Sequence, residues 1–194
     1  MVFEGEKRDF HNLLKLEGNY FLITSYLDKK KRNVVLYSHK LNRETLNFEV
    51  SIEITNHSFE EFKRTESPIF KFKQTNSGKH LVVVTSLPSA KENTYHFELM
   101  VLNSEMKVVW SKSNLEIYTR YPNLAPHDAK ISADGRVFFL AKIFYPYKRS
   151  KGLNYRFEMY VFSPGLDKPK IFPIKFDKGL ISDLKFEFYD SLFF

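Results

Sequence analysis

Two runs of cations carry the most concentrated chemistry in the chain, Lys29-Lys30-Lys31-Arg32 and Lys148-Arg149-Ser150-Lys151. Dense Lys and Arg attract phosphate, acidic polysaccharide, nucleic acid or an acidic protein. Such runs also serve as solvated turn tips that blunt exposed sheet edges. Tyr145, Tyr147 and Tyr155 flank the second run, and rings beside cations favour stacking on bases or sugars. Arg120 adds a further cation, and His127-Asp128 is the best single polar pair, although an Asp there equally caps a turn.

Catalytic patterns are scarce. The chain has no Cys, which excludes disulfides, thiol catalysis and Cys-ligated metals. The histidines, His11, His39, His57, His80, His96 and His127, show no metal-ligand spacing, and no cofactor is expected. No GxSxG, HExxH, GxGxxG, Walker or calcium loop is present. Glu60-Glu61 would diverge if Phe59 to Arg64 forms a helical turn, so they fit poorly the paired carboxylates of glycoside hydrolysis. Glu98 and Glu158 sit within apolar runs. A buried carboxylate needs a cation, and the expected place for one is between neighbouring sheets. Asn56-His57-Ser58 matches the glycosylation sequon, a frequent chance match.

The elements that must hold these residues repeat. Leu16 to Leu22, Asn76 to Val82 and Ala133 to Phe139 read as versions of one hairpin, in which a Gly with positive φ closes the turn. The glycines are Gly18, Gly78 and Gly135, spaced 60 and 57 apart. A fourth copy begins at Tyr189, with Asp190 in the Gly place 55 residues on. Tyr95 to Leu102 matches Tyr155 to Phe162 at an offset of 60, with a weaker version at Val34 to Leu41. Polar turns follow, and then fourth strands at Leu46 to Ile54, Val108 to Ile117 and Lys170 to Phe176. Leu81-Val82-Val83-Val84 and Val137 to Ala141 are continuously apolar, as strands covered on both faces must be.

Tandem antiparallel four-stranded units predict an all-β partial β-propeller. About three blades are expected over 11–54, 69–117 and 127–176, with the next starting at 181–194, all in one incomplete domain 1–194. Phe and Tyr supply 20 and 11 residues, enough large rings to fill the wedge between twisted sheets. A ring closes with roughly 4–8 blades, so the chain reads as part of a longer protein. Standing alone, it would expose its terminal blades and self-associate through them.

A four-stranded meander sends the second-to-third hairpin and the inter-blade connections to one rim. That rim carries the long connections and, by formal count, +6 of the net charge of +7. Long varied loops on a rigid scaffold are where binding usually lives. Lys29, Lys30, Lys31, Arg32, Arg120, His127, Lys148, Arg149 and Lys151 are therefore the candidate ligand-binding residues. Lys73, Lys130 and Lys185 each lie five residues before a turn anchor, at one place on the innermost strand of three blades, where they are expected to line a central channel. The first blade has Leu13 there and breaks the ring.

The run Gln74 to Trp110, with its NSGK turn and FELMVLNSEMKVVWSK continuation, resembles WD-repeat-like and TolB-type propeller repeats, without the WD dipeptide. Over nearly its full length the chain also resembles large, uncharacterised exported proteins of Bacteroidetes-type bacteria. The residues that carry this are Phe3 to Arg8, Leu22 to Lys30, Val109 to Lys112 and Ile181 to Glu187. The resemblance implies a propeller in the cell envelope or periplasm and transfers no catalytic residue. Met1 to Glu6 does not look like a signal peptide, and no apolar run approaches the ~20 residues of a membrane span. The leading expectation is a non-catalytic scaffold that binds a protein or an anionic ligand. The alternatives are part of an enzyme or glycan-processing module completed by further blades, and a nucleic-acid or polyanion binder acting through the basic rim.

Overall fold

The computed structural model describes residues 2–3, 5–58, 68–87, 94–118, 128–144, 155–176 and 184. All regular structure among them is β. A short hairpin, β1 (Val2–Phe3) and β2 (Glu6–Lys7), precedes the first sheet. That sheet is β3 (Asp9–Leu16), β4 (Asn19–Asp28), β5 (Asn33–Leu41) and β6 (Phe48–Ser58). The second is β7 (Ile69–Gln74), β8 (His80–Leu87), β9 (Thr94–Asn103) and β10 (Val108–Tyr118). The third is β11 (Asp128–Ile131), β12 (Val137–Phe144), β13 (Tyr155–Phe162) and β14 (Lys170–Ile174). In each sheet the strands pair in sequence order and antiparallel, which makes a simple meander.

The sheets stack in chain order, and the middle one is covered on both sides. Successive side chains of a strand point to opposite faces. Leu81 and Val83 accordingly join Leu14, Leu16, Phe21 and Ile23 of the first sheet in one core. Val82 and Val84 join Val137, Phe139 and Phe162 of the third sheet in another. Phe97 of β9 lies 5.2 Å from the ring of Phe139 and 6.0 Å from that of Phe162. Each such ring, fully buried, contributes about 1.5–3 kcal/mol. The innermost strands approach one another, β11 lying against β7 and β8.

The turns explain the register and correct two expectations. Gly18, Gly78 and Gly135 do take positive φ, at +88, +71 and +80. The first turn, however, is a different hairpin from the other two. Glu17 (φ 42) and Gly18 form a two-residue loop between the paired Leu16 and Asn19. Such left-handed pairs match the twist of the flanking strands. Gly78 and Gly135 close longer loops, their N–H donating to the carbonyls of Thr75 and Ser132. The shorter turn shifts the register, and a one-residue shift moves side chains to the other face of a sheet. The second correction concerns Leu46, which lies in the turn before β6 and not in the strand. It takes φ 57 and donates its N–H to Asn42 O at 3.0 Å.

The terminal faces, expected to be bare, differ: that of the third sheet is buried and that of the first is covered only in part. On the outward face of the third sheet, Phe138, Leu140 and Phe157 are at most 1% exposed. On that of the first, Thr24 and His39 are fully buried, while Phe10 and Leu13 stay more than half exposed. The anticipated helical turn at 59–64, with Glu60 and Glu61, and the fourth copy at 189–194 lie outside the described residues.

Candidate functional site

The basic run between β4 and β5 is held out by its own backbone. Asp28 ends β4, and its Oδ1 accepts from the N–H of Lys30 and of Lys31, both at 3.0 Å. Arg32 takes φ 56, and Asn33 resumes pairing opposite Asp28. Asp side chains commonly stabilise turns in this way. Lys29, Lys30, Lys31 and Arg32 are all exposed. The tip is therefore a fixed cationic loop rather than a loose one. Arg120, His127, Lys148, Arg149, Lys151 and Lys185, the other expected members of the rim and channel sets, lie outside the described residues.

Lys73 and Lys130 occupy the first strands of the second and third sheets, as expected. Their partners are Val82 and Phe138, which places both on the face directed onward along the stack. Leu13 is not their counterpart. It pairs with Leu22 on the opposite face because of the two-residue turn, and Leu14 lies on the corresponding face. A lysine not singled out from sequence, Lys71, shares the face with Lys73. Its pKa is lowered, first by burial and then by the charge of Lys73.

A cleft of ≈ 70 Å³ opens between the first two sheets, lined by apolar Val83, Leu99 and Met100 as well as by Thr55, Thr85 and Glu98. His57 Nε2 of β6 stands 4.0 Å from Glu98 Oε2 of β9, and Thr55 Oγ1 stands 3.2 Å from the same nitrogen. Glu98, whose side chain is 27% exposed, thus finds its partner, an imidazole, across the sheet interface. Glu158 solves the same problem within its own strand. Arg156 Nε donates to it at 2.6 Å and the Tyr160 hydroxyl at 2.7 Å. Burial and the Glu158 carboxylate push the Tyr160 phenol pKa up. The cleft holds a few waters by volume and is far below the several hundred Å³ of a small-molecule pocket.

The most elaborate polar group was not anticipated as a site. On the outward face of the first sheet, Arg8 is 6% exposed and lies 4.5 Å over the ring of Tyr37. Its Nη2 donates to Glu6 at 3.0 Å. His39 contacts Thr24 Oγ1 at 2.9 Å and Ser51 Oγ at 2.7 Å through its two ring nitrogens. Burial, and then the Arg8 charge, hold His39 down at a pKa of about 4, so the ring is neutral near pH 7. Arg8 and His39 are 31 residues apart, and no local spacing joins them. Only the alternation of Tyr37 and His39 on one face of β5 hinted at it.

These polar groups tie strand to strand, and they include hydroxyl–imidazole pairs, Ser51 with His39 at 2.7 Å and Ser25 with His11 at 2.8 Å. Among the described residues no three His, Asp or Glu side chains gather closely enough to hold a metal, and no helix is long and apolar enough to cross a membrane. Asn56 is in β6 and accepts from Asn33 Nδ2 at 2.7 Å, so the sequon sits within a paired strand. Compared with protein-family models, with curated proteins and with solved structures, the chain finds no match.

Proposed function

We propose that the three sheets are consecutive blades of a β-propeller and that the protein is a non-catalytic binding scaffold of the bacterial cell envelope. Its rim of long connections receives an anionic partner. Support for the arc comes from the stacking in chain order and from the approach of β11 to β7 at the inner edge. Support for the envelope comes from the resemblance to exported proteins, and recovery of the native product solely from the cytoplasm would end that part. The observation that carries the binding role is the Lys29 to Arg32 tip, exposed yet fixed by Asp28. A fixed loop loses little freedom on binding, which is the advantage of preorganisation.

The test is binding of long-chain polyphosphate across a salt series, with a variant carrying Lys29, Lys30, Lys31 and Arg32 all changed to Ser. Each cation that neutralises a phosphate steepens the dependence of log K on log salt by about 0.7–0.9. The variant should bind more weakly with a shallower slope, while its stability stays within about 0.5 kcal/mol of the parent's. A flat salt response in the parent, or identical curves for the two proteins, refutes the role.

A further inference from the structure

Arg8 is carried by the smallest element of the fold. The hairpin of β1 and β2 that precedes it has two residues in each strand, and these pair only with one another among the described residues. A lone two-stranded hairpin is marginally stable in water, so this one depends on contacts outside itself. Arg8 supplies such a contact. Its side chain lies buried on the outward face of the first sheet, and its Nη2 donates back to Glu6 in the hairpin at 3.0 Å.

The surface that receives it suits a planar cation. The Arg8 Cζ stands 4.5 Å from the ring centroid of Tyr37 in β5 and 5.9 Å from that of Tyr26 in β4, both within reach of cation–π attraction. Tyr26 pairs with Val35 and Tyr37 with Thr24, which makes the two rings diagonal neighbours on one face. Glu53 of β6 stands opposite Tyr37. Burial first, and then the Glu53, Glu6 and Asp28 carboxylates, push the Tyr37 phenol pKa up, against the Arg8 charge. Burial, then Glu6 and Asp28, do the same to Tyr26. The sheet alone therefore offers two rings and two carboxylates, and the hairpin adds a third carboxylate.

The site belongs to a continuous strip. Phe10, Thr24, Tyr37 and Glu53 are successive cross-strand partners from β3 to β6, and Leu13, Leu22, His39 and Ser51 form the adjoining row. Such partners have Cβ atoms about 4.5–5.5 Å apart. The rings thus lie in line with Phe10 and next to the row of Leu13, and both of these apolar side chains are more than half exposed. What occupies the rings in the folded chain also shows which chemistry they take. It is a guanidinium, whose planar and weakly hydrated cation stacks on aromatic faces.

We infer that Tyr26, Tyr37, Asp28 and Glu53 form a guanidinium-binding site that Arg8 fills from within, and that an arginine of a partner polypeptide replaces Arg8 when the hairpin lifts away. Arg8 is then an internal competitor, and the apolar side chains beside the rings favour an arginine flanked by apolar residues. The site takes a cation and the Lys29 to Arg32 tip an anion, so either can be lost without the other.

The test is calorimetric titration of the full chain with the peptide acetyl-Leu-Arg-Leu-amide, and with its analogue carrying uncharged citrulline in place of arginine. A binding-competent state populated to about 0.1–10% lowers the apparent affinity by that fraction, so Arg8→Ala should bind the arginine peptide at least about tenfold more tightly than the parent. Glu6→Gln, which removes the carboxylate paired with Arg8, should fall between them, and it decides the matter if Arg8→Ala does not fold. Combined with Arg8→Ala, Tyr37→Phe should keep the binding and Tyr37→Leu should abolish it, each with an unchanged far-ultraviolet circular dichroism spectrum. The citrulline peptide should bind none of these proteins, and acetyl-Gly-Arg-Gly-amide should bind Arg8→Ala more weakly than the leucine peptide does. Affinities no higher in Glu6→Gln and Arg8→Ala than in the parent, citrulline binding equal to arginine binding, or binding that survives Tyr37→Leu overturns the site. Equal affinity for the leucine and glycine peptides overturns the choice of partner.

Discussion

Gly78 offers a direct measure of how closely the first two sheets abut. Its φ is +71, and a Cβ there would stand 2.9 Å from the backbone N of Glu17 and 3.3 Å from the Cα of Leu16. Both atoms belong to the turn region of the neighbouring sheet, and backbone cannot swing aside as a side chain can. Gly18 has a comparable φ, +88, with nothing within 4 Å, and Gly135, at +80, meets only the His80 ring at 3.8 Å or beyond. The three glycines therefore separate two costs. Gly18→Ala measures the left-handed backbone alone, about 1–2 kcal/mol. Gly135→Ala should cost nearly the same, because 3.8 Å is an ordinary contact. Gly78→Ala adds the displacement of a packed neighbour, about 1–3 kcal/mol more, for a total of about 2–5 kcal/mol. Urea titration reads this directly: the midpoints should fall in that order at a constant m value. If Gly78→Ala costs no more than Gly18→Ala, the turns do not touch, and the stacking of these two sheets is wrong.

Two further outcomes follow from buried polar contacts. His39 is held neutral, with its pKa lowered from 6.5 to about 4. Below 6.5 the unfolded chain takes up a proton that the folded one refuses, so stability is full above that pH and is lost as pH falls toward 4. His39→Gln, which cannot be charged, should flatten the slope of urea midpoint against pH in this window, and an unchanged slope would remove His39 as its source. Part of the slope should persist in the variant, since burial also lowers the pKa of His11. Trp110, the sole Trp, donates Nε1–H to Gly135 O at 3.1 Å across the second and third sheets. Trp110→Phe should cost about 0.5–1.5 kcal/mol for that bond, beyond any loss of packed volume, and parent fluorescence should be blue-shifted until these sheets part. Emission that is already solvent-like in the native protein would contradict the interface.

Much of the sheet architecture was legible because it rests on local signals. Leu81 to Val84 and Val137 to Ala141 read as doubly covered strands from their unbroken apolar run, and they line the two interfaces as such strands must. The left-handed glycines were equally visible. What could not be read was which face each residue takes. The two-residue loop at Glu17 and Gly18 looks in sequence like the longer loops at Gly78 and Gly135, yet it moves Leu13 to the opposite face from Lys73 and Lys130. One residue of turn length, not composition, decided that. Leu46 likewise reads as the apolar start of a strand, whereas its left-handed φ closes the preceding turn.

The polar groups follow a different rule. Lys29 to Arg32 could be found because its members are adjacent. The Arg8 and His39 pair could not, since it joins the residue between β2 and β3 to β5, and its chemistry exists only once the sheet is formed. That contrast bears on function. Three of these groups have their partners within the fold: Glu158 has Arg156 and Tyr160, Glu98 faces His57, and His39 has Thr24 and Ser51. Their work is to hold strand to strand and sheet to sheet. The most exposed charge lies at the ends of the strands, where the meander sends alternate turns to opposite rims. At one end Lys29 to Arg32 stand exposed on a fixed loop. At the other the short turns carry equal numbers of acidic and basic side chains. If the excess charge at the first end is what a polyanion meets, replacing Lys29 to Arg32 should flatten the salt dependence of binding, whereas replacing the paired Glu105 and Lys107 at the other end should leave it unchanged.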